Sequence, residues 1–232
     1  MTKRHVSQRP AAVLAVALLA VGILSATTLA LADDNNAPKV VAPSEVYGGL
    51  SYGQWAAAWW QWAFHVPANS NHPVFSGGNT LLSQSGGVWF LAGVFGVETR
   101  SITIPSGVAL FFPVVNSECS MFEDPPYHGD DATSLAACAN GFIDQASNLS
   151  AQIDGKAVKH LEQYRTLSPM FTIGPLPDPN ILGAPAGTST QSVDAGVYLL
   201  IPPLKPGHHT IRFKGTVGGG SLDTTYHIQV NP

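Results

Sequence analysis

The apolar residues of this 232-residue chain follow two patterns: one helical stripe near the start, then a series of short runs separated by turn residues. The stripe occupies residues 51–67, SYGQWAAAWWQWAFHVP, where Tyr52, Trp55, Trp59 and Trp62 recur at three- and four-residue steps. Trp60 and Phe64 widen it to much of the circumference. Ser51, with Gln54 three residues on, reads as a capping box, and Val66-Pro67 ends the helix because the residue before proline is pushed out of the α region. Only Gln54, Gln61 and His65 stay polar, so the helix must be buried on most sides. About fifteen residues at about 1.5 Å each fall short of a bilayer core, which makes this a core helix and not a span. A row of indoles also suits stacking on sugar rings, but helical spacing favours packing, and the polar strip reads as the solvent edge or the side of a pocket.

Strand patterns follow at 88–91, 98–104 and 108–115. In 98–104 the residues Thr99, Ser101 and Thr103 share one face, which puts Glu98 and Arg100 with Ile102 and Ile104. Arg100 therefore points partly inward, as an ion pair with Glu98 or as an anion-binding residue. Residues 108–115 are apolar on both faces and read as a covered strand, with Pro113 marking a bulge or an edge. A second helix is expected over 131–148, capped by Asp130 or Asp131, with Leu135, Cys138, Phe142, Ala146 and Leu149 on one side. Residues 151–158 read as a hairpin turning at Asp154-Gly155. A proline-rich loop fills 174–192, and residues 193–201 resume with apolar positions on both faces. The runs 208–214 and 224–230 pair, directing His209, Ile211 and Phe213 inward with Tyr226, Ile228 and Val230. His209 is then a satisfied core histidine or a ligand-binding one. These elements predict a mainly β fold, a β-sandwich of immunoglobulin-like or jelly-roll-like kind, with an N-terminal Trp-rich helix and one inserted helix.

The segment Pro-Leu-Lys-Pro-Gly-His-His-Thr-Ile-Arg-Phe at 203–213, followed by Tyr-His-Ile-Gln-Val at 226–230, resembles the closing strands of immunoglobulin-like modules in exported bacterial proteins. Through its Trp-rich helix, Val-Trp-Phe-Leu-Ala at 88–92 and Leu-Phe-Phe-Pro-Val-Val-Asn at 110–116, the chain from residue 33 on also resembles a group of uncharacterised exported proteins. That resemblance implies export and an immunoglobulin-like core; it implies no activity.

The first residues agree with export. Lys3, Arg4, His5 and Arg9 precede an uncharged stretch that ends at Ala30-Leu31-Ala32, the pattern of a secretory signal peptide over 1–32. The stretch is long enough to serve as an anchor if it stays uncleaved, so a membrane partner is expected only in that case. Residues 33–50 then read as a flexible leader and 51–232 as a single β-rich domain. Without the signal peptide the chain has 8 basic residues against 15 acidic, a formal charge of −7, which excludes nucleic acid as a partner on electrostatic grounds. Cys119 and Cys138 are the only cysteines, and in an exported protein they read as a disulfide closing a loop of about 20 residues, contributing about 3 kcal/mol.

The densest candidate chemistry lies in residues 116–131, NSECSMFEDPPYHGDD, a segment held by that disulfide. Three readings are open. The acids are a solvated loop capping the second helix, or Glu123, Asp124, Asp130 and Asp131 bind Ca²⁺, or Glu118 with Glu123 or Asp124, and with His128 as a further catalytic candidate, performs acid–base chemistry on a glycan. Arg100, Asn116 and His209 are the candidate ligand-binding residues. The functions that follow are a binding or structural module of the cell envelope or exterior, with a glycan or another envelope protein as partner, and, as the alternative, a small carbohydrate-active hydrolase or lyase.

Overall fold

A computed structural model describes residues 39–232; the segment read as a signal peptide, 1–32, lies outside them. In chain order the elements are α1 (Tyr52–His65), β1 (Val88–Phe90), β2 (Gly96–Ile104), β3 (Ala109–Ser120), α2 (Ala132–Asp144), β4 (Ser147–Ile153), β5 (Lys156–Ala157), a 3₁₀ turn (Leu161–Tyr164), β6 (Arg165–Leu167), β7 (Phe171–Ile173), β8 (Thr190–Ile201), β9 (Gly207–Val217) and β10 (Gly220–Val230). The predominance of strands in two sheets with two helices makes the described chain mainly β, a sandwich carrying helices.

The first sheet has the order β1-β3-β8-β6, with β7 also on β8; β1 runs parallel to β3 and the other pairs are antiparallel. The second has the order β10-β9-β4-β5, and β2 lies beside β10, with a bridge from Phe95 to Leu222 and the Asn231 amide donating to the Ile104 carbonyl. Between the sheets Leu110, Phe112 and Leu199 meet Ile211, Phe213 and Tyr226, with Phe112 and Phe213 stacked at 4.8 Å. The inward set read from β9 and β10 is buried as expected, apart from His209 at the margin.

The outer face of the first sheet carries a second core. Ala109, Phe111, Tyr198 and Leu200 pack there against Tyr52, Ala56, Trp59, Trp62 and Ala63 of α1. This is why β3 and β8 are apolar on both faces. The Ser51–Gln54 capping box is present, and Gln54, Gln61 and His65 are exposed. Residues 39–50, part of the stretch read as a flexible leader, lie along this face: the Val41 amide donates to Leu200 O and Tyr47 bridges to Leu50.

Two boundaries differ from expectation. Helix α2 stops at Asp144 and not at 148, because residues 147–153 are drawn into the second sheet beside β9. The apolar residues Leu149, Ala151 and Ile153 suit a period of two as well as a helical stripe continuing through Leu149. Strand β3 continues through Ser120, so Glu118 and Cys119 lie in a strand and not in the loop beyond it. Its register against β8 shifts between Pro113 and Val115, the irregularity foreshadowed by Pro113. Both Val114 and Val115 face the sandwich, and parity reverses after them. Asn116, Glu118 and Ser120 consequently face outward with Phe111; without the extra residue Glu118 would point into the apolar core.

Candidate functional site

The bulge sets Glu118 directly across from Asp194 of β8, on the face that α1 covers. Asp194 is fully buried. Its Oδ1 accepts from Trp60 Nε1 at 2.7 Å and its Oδ2 from the Tyr198 hydroxyl at 2.9 Å, while Asn116 Nδ2 donates to that hydroxyl at 3.0 Å. Gly196 makes room for this arrangement, since a Cβ there would lie 2.8 Å from the Val115 carbonyl oxygen and 2.9 Å from Asn116 Cβ. Burial outweighs the two bonds that favour its charge and pushes the Asp194 carboxyl up to about 8.

Glu118, 6% exposed, accepts from the Ser192 hydroxyl and has the carboxyl of Glu123 beside it. Glu123 reaches it from the turn after β3, where the Ser120 hydroxyl donates to Glu123 Oε2 at 2.9 Å and the Glu123 amide donates back at 3.3 Å. Desolvation raises both carboxyls, and Glu118 is raised further by the charge of Glu123. Two carboxyls this close in a desolvated place cannot both ionise cheaply, so the more deeply buried Glu118 keeps its proton to higher pH than an ordinary glutamate.

The pair opens onto a cleft. Since β1 pairs with β3 only as far as Phe111 and Ser120 is bridged to His128, the stretch of β3 between them is an edge among the described strands. Along it lies a recess of about 270 Å³ whose walls include Trp60, Phe95, Tyr127, Phe142, Ile181 and Leu182, with Glu118 and Glu123 in its lining. A second recess of about 400 Å³ shares Trp60, Phe95, Asn116, Ile181 and Val217 with the first and extends it toward Phe75 and Leu222. Ile181 and Leu182 belong to the proline-rich loop, so that loop forms one wall.

The other predicted residues are placed elsewhere. His128 turns away from the carboxyl pair: its Nδ1 donates to the Glu123 carbonyl at 2.7 Å and its Nε2 lies 3.0 Å from Asp130 Oδ1. The bond to Asp130 raises the His128 imidazole, and the histidine pins the turn. Asp131 caps α2, accepting from the Ser134 amide at 2.8 Å, and Asp124 is exposed. Of the calcium set, Glu123, Asp130 and Asp131 are thus engaged separately and Asp124 is exposed, and among the described residues no group of three or more His, Cys, Asp or Glu is placed to hold a metal ion.

Arg100 is buried and structural. Its guanidinium donates to Pro73 O and Phe75 O, each at 2.7 Å, and to the Tyr226 hydroxyl at 3.2 Å, with Nε 3.6 Å from Glu98 Oε1. It braces the loop that presents Phe75 to the cleft. His209 is held by Asp154 Oδ2 at 2.8 Å and Lys205 O at 2.9 Å, so both ring nitrogens are used. Gln61 and His65 line a separate recess of about 370 Å³ beside Ser83 and Thr172. Cys119 and Cys138 are bonded, tying β3 to α2.

Sequence reasoning named Glu118 and Glu123 as one candidate set and Asn116 in another, and missed Asp194, Trp60, Tyr198 and Ser192 as site residues. One signal was available, since Asp194 is a lone acid within a strand otherwise apolar on both faces, and such an acid must be buried with partners. The chain matches no protein-family model, no curated protein and no solved structure.

Proposed function

We propose that the protein is an exported binding module of the cell envelope or exterior, whose cleft along the edge of β3 takes a small apolar ligand. The observation that carries this is the pair of adjoining recesses, of about 270 and 400 Å³, walled by aromatic and aliphatic side chains. Clefts of this size and character are where small ligands bury most of their surface. At their rim Phe75 is 40% and Phe95 66% exposed, apolar area that folding has left uncovered. Export is supported by the leader pattern and by the disulfide, which persists in oxidising compartments.

A glycan draws less support. The indole N–H groups of Trp55, Trp59, Trp60 and Trp62 donate to Tyr47 O, Leu91 O, Asp194 and Leu82 O, and so are not free to bond sugar hydroxyls. Glycoside hydrolysis calls for two carboxyls about 5 Å or more apart across the bond, whereas Glu118 and Glu123 are close enough to perturb one another directly.

Titration with N-phenyl-1-naphthylamine, an uncharged apolar fluorophore, tests the reading. The wild-type protein should enhance its fluorescence saturably at one site, and Ile181→Asp, which puts a charge in the shared wall, should weaken binding at least about tenfold. Absence of saturable enhancement, or equal binding by a folded Ile181→Asp variant, would refute it.

A further inference from the structure

The carboxyl pair gives the cleft a polar end of one sign. Among the described residues no lysine, arginine or histidine lines that recess, and inside the protein the pair is met by the neutral hydroxyls of Ser120 and Ser192. The other titratable groups around it bring no positive charge to it. Asp194 faces it from β8, Asp124 is exposed in the same turn, Tyr127 forms part of the wall, and His128 is directed to the Glu123 carbonyl and Asp130. A negative charge set in apolar surroundings without a counter-ion is costly, and a cation delivered by a ligand would relieve that cost. The same recess is lined by the rings of Trp60, Tyr127 and Phe142, with Tyr127 and Phe142 stacked at 4.8 Å, and open aromatic faces attract ammonium groups. The recess beyond, by contrast, is lined almost wholly by apolar side chains, Asn116 excepted.

We infer that the ligand is a long-chain primary amine, its ammonium head seated at Glu118 and Glu123 and its chain lying along the recess toward Phe75 and Leu222. The inference rests on the binding function proposed above and adds the ligand's class. Its pH dependence follows from the pair. With the buried Glu118 protonated, the more exposed Glu123 supplies a single negative charge that holds the ammonium; a proton taken up there on acidification removes that charge, while the alkylammonium stays charged throughout.

Displacement of N-phenyl-1-naphthylamine by decylamine and by decan-1-ol tests this, with the ratio of their affinities as the readout. At neutral pH decylamine should bind about 10- to 100-fold more tightly than decanol, the range of a hydrogen bond to a charged group. The ratio should fall toward one on acidification and in Glu118→Gln/Glu123→Gln. Glu123→Gln alone, at the partly exposed member of the pair, gives the same comparison should the double variant fail to fold. If decanol and decylamine compete equally, or the preference survives in the folded variants, the head-group assignment is wrong while the binding function stands. If neither displaces a bound fluorophore, the amine inference falls; if the fluorophore itself does not bind, the binding function falls with it.

Discussion

Asp194 shows how far one buried residue can couple a site to its scaffold. Its two oxygens tie Trp60 of α1 and Tyr198 of β8 together, and Tyr198 in turn takes Asn116 of β3. The carboxyl is neutral in the folded protein over much of the physiological range, because burial raises it to about 8. In the unfolded chain it ionises near the ordinary aspartate value of about 3.9. Between those two values the folded state holds a proton that the unfolded state has released, so this group's stabilisation is complete below about pH 4 and is lost as pH rises toward about 8. One such proton corresponds to about 1.4 kcal/mol per pH unit inside that window. Asp194→Asn cannot ionise, and its unfolding free energy should therefore decline with pH less steeply than wild type by about that slope. Both proteins retain a further decline from Glu118 and Glu123, which burial also raises. Urea unfolding at several pH values between 5 and 8 measures this, and identical slopes would show that Asp194 is ionised in the native state.

At the scale of elements, α1 and the bulge in β3 do the positioning. Trp59 is 3% exposed and donates its indole N–H to Leu91 O at 2.9 Å, so it anchors α1 on the first sheet. Trp59→Ala should cost about 3–5 kcal/mol through the cavity it leaves, read as a lowered denaturation midpoint; an unchanged midpoint would mean that the helix is not needed to cover the sheet. The helix was legible in the sequence because stripe, cap and proline stop agree. So were the Asp154-Gly155 hairpin, where both residues adopt positive φ, and the inward set of β9 and β10. The re-aiming of Glu118 was not. Pro113 announces an irregularity, but which residues turn outward after it depends on the register with β8, and β8 lies about 80 residues away in the chain. Likewise the reach of α2 was overestimated because its apolar positions also satisfy a strand, and pairing with β9 decided between them.

At the scale of the whole molecule, the site exists only through long-range contacts. Trp60 and Asp194 are 134 positions apart, and Ser192 and Glu118 are 74 apart. Individual acids could be read from the chain, whereas their convergence is a property of the assembled sandwich. The Cys119–Cys138 bond joins β3 to α2 and brackets the turn that delivers Glu123, so it holds the geometry of the cleft as well as the fold. In protein recovered from outside the cytoplasm, the intact mass should correspond to a chain beginning at Asp33 with both cysteines oxidised. Thiol labelling of the unfolded, unreduced material should find no free thiol; labelling at both positions would show that the bond does not form where the protein resides, and a species beginning at Met1 would make it membrane-anchored. Replacing both cysteines by alanine releases a loop of sequence separation 19 and should lower stability by about 3 kcal/mol. Because Glu123 is carried on that loop, the same variant should also lose part of its preference for decylamine over decanol while still folded. Full retention of that preference would mean that Ser120 and His128 suffice to hold the Glu123 turn without the covalent tie.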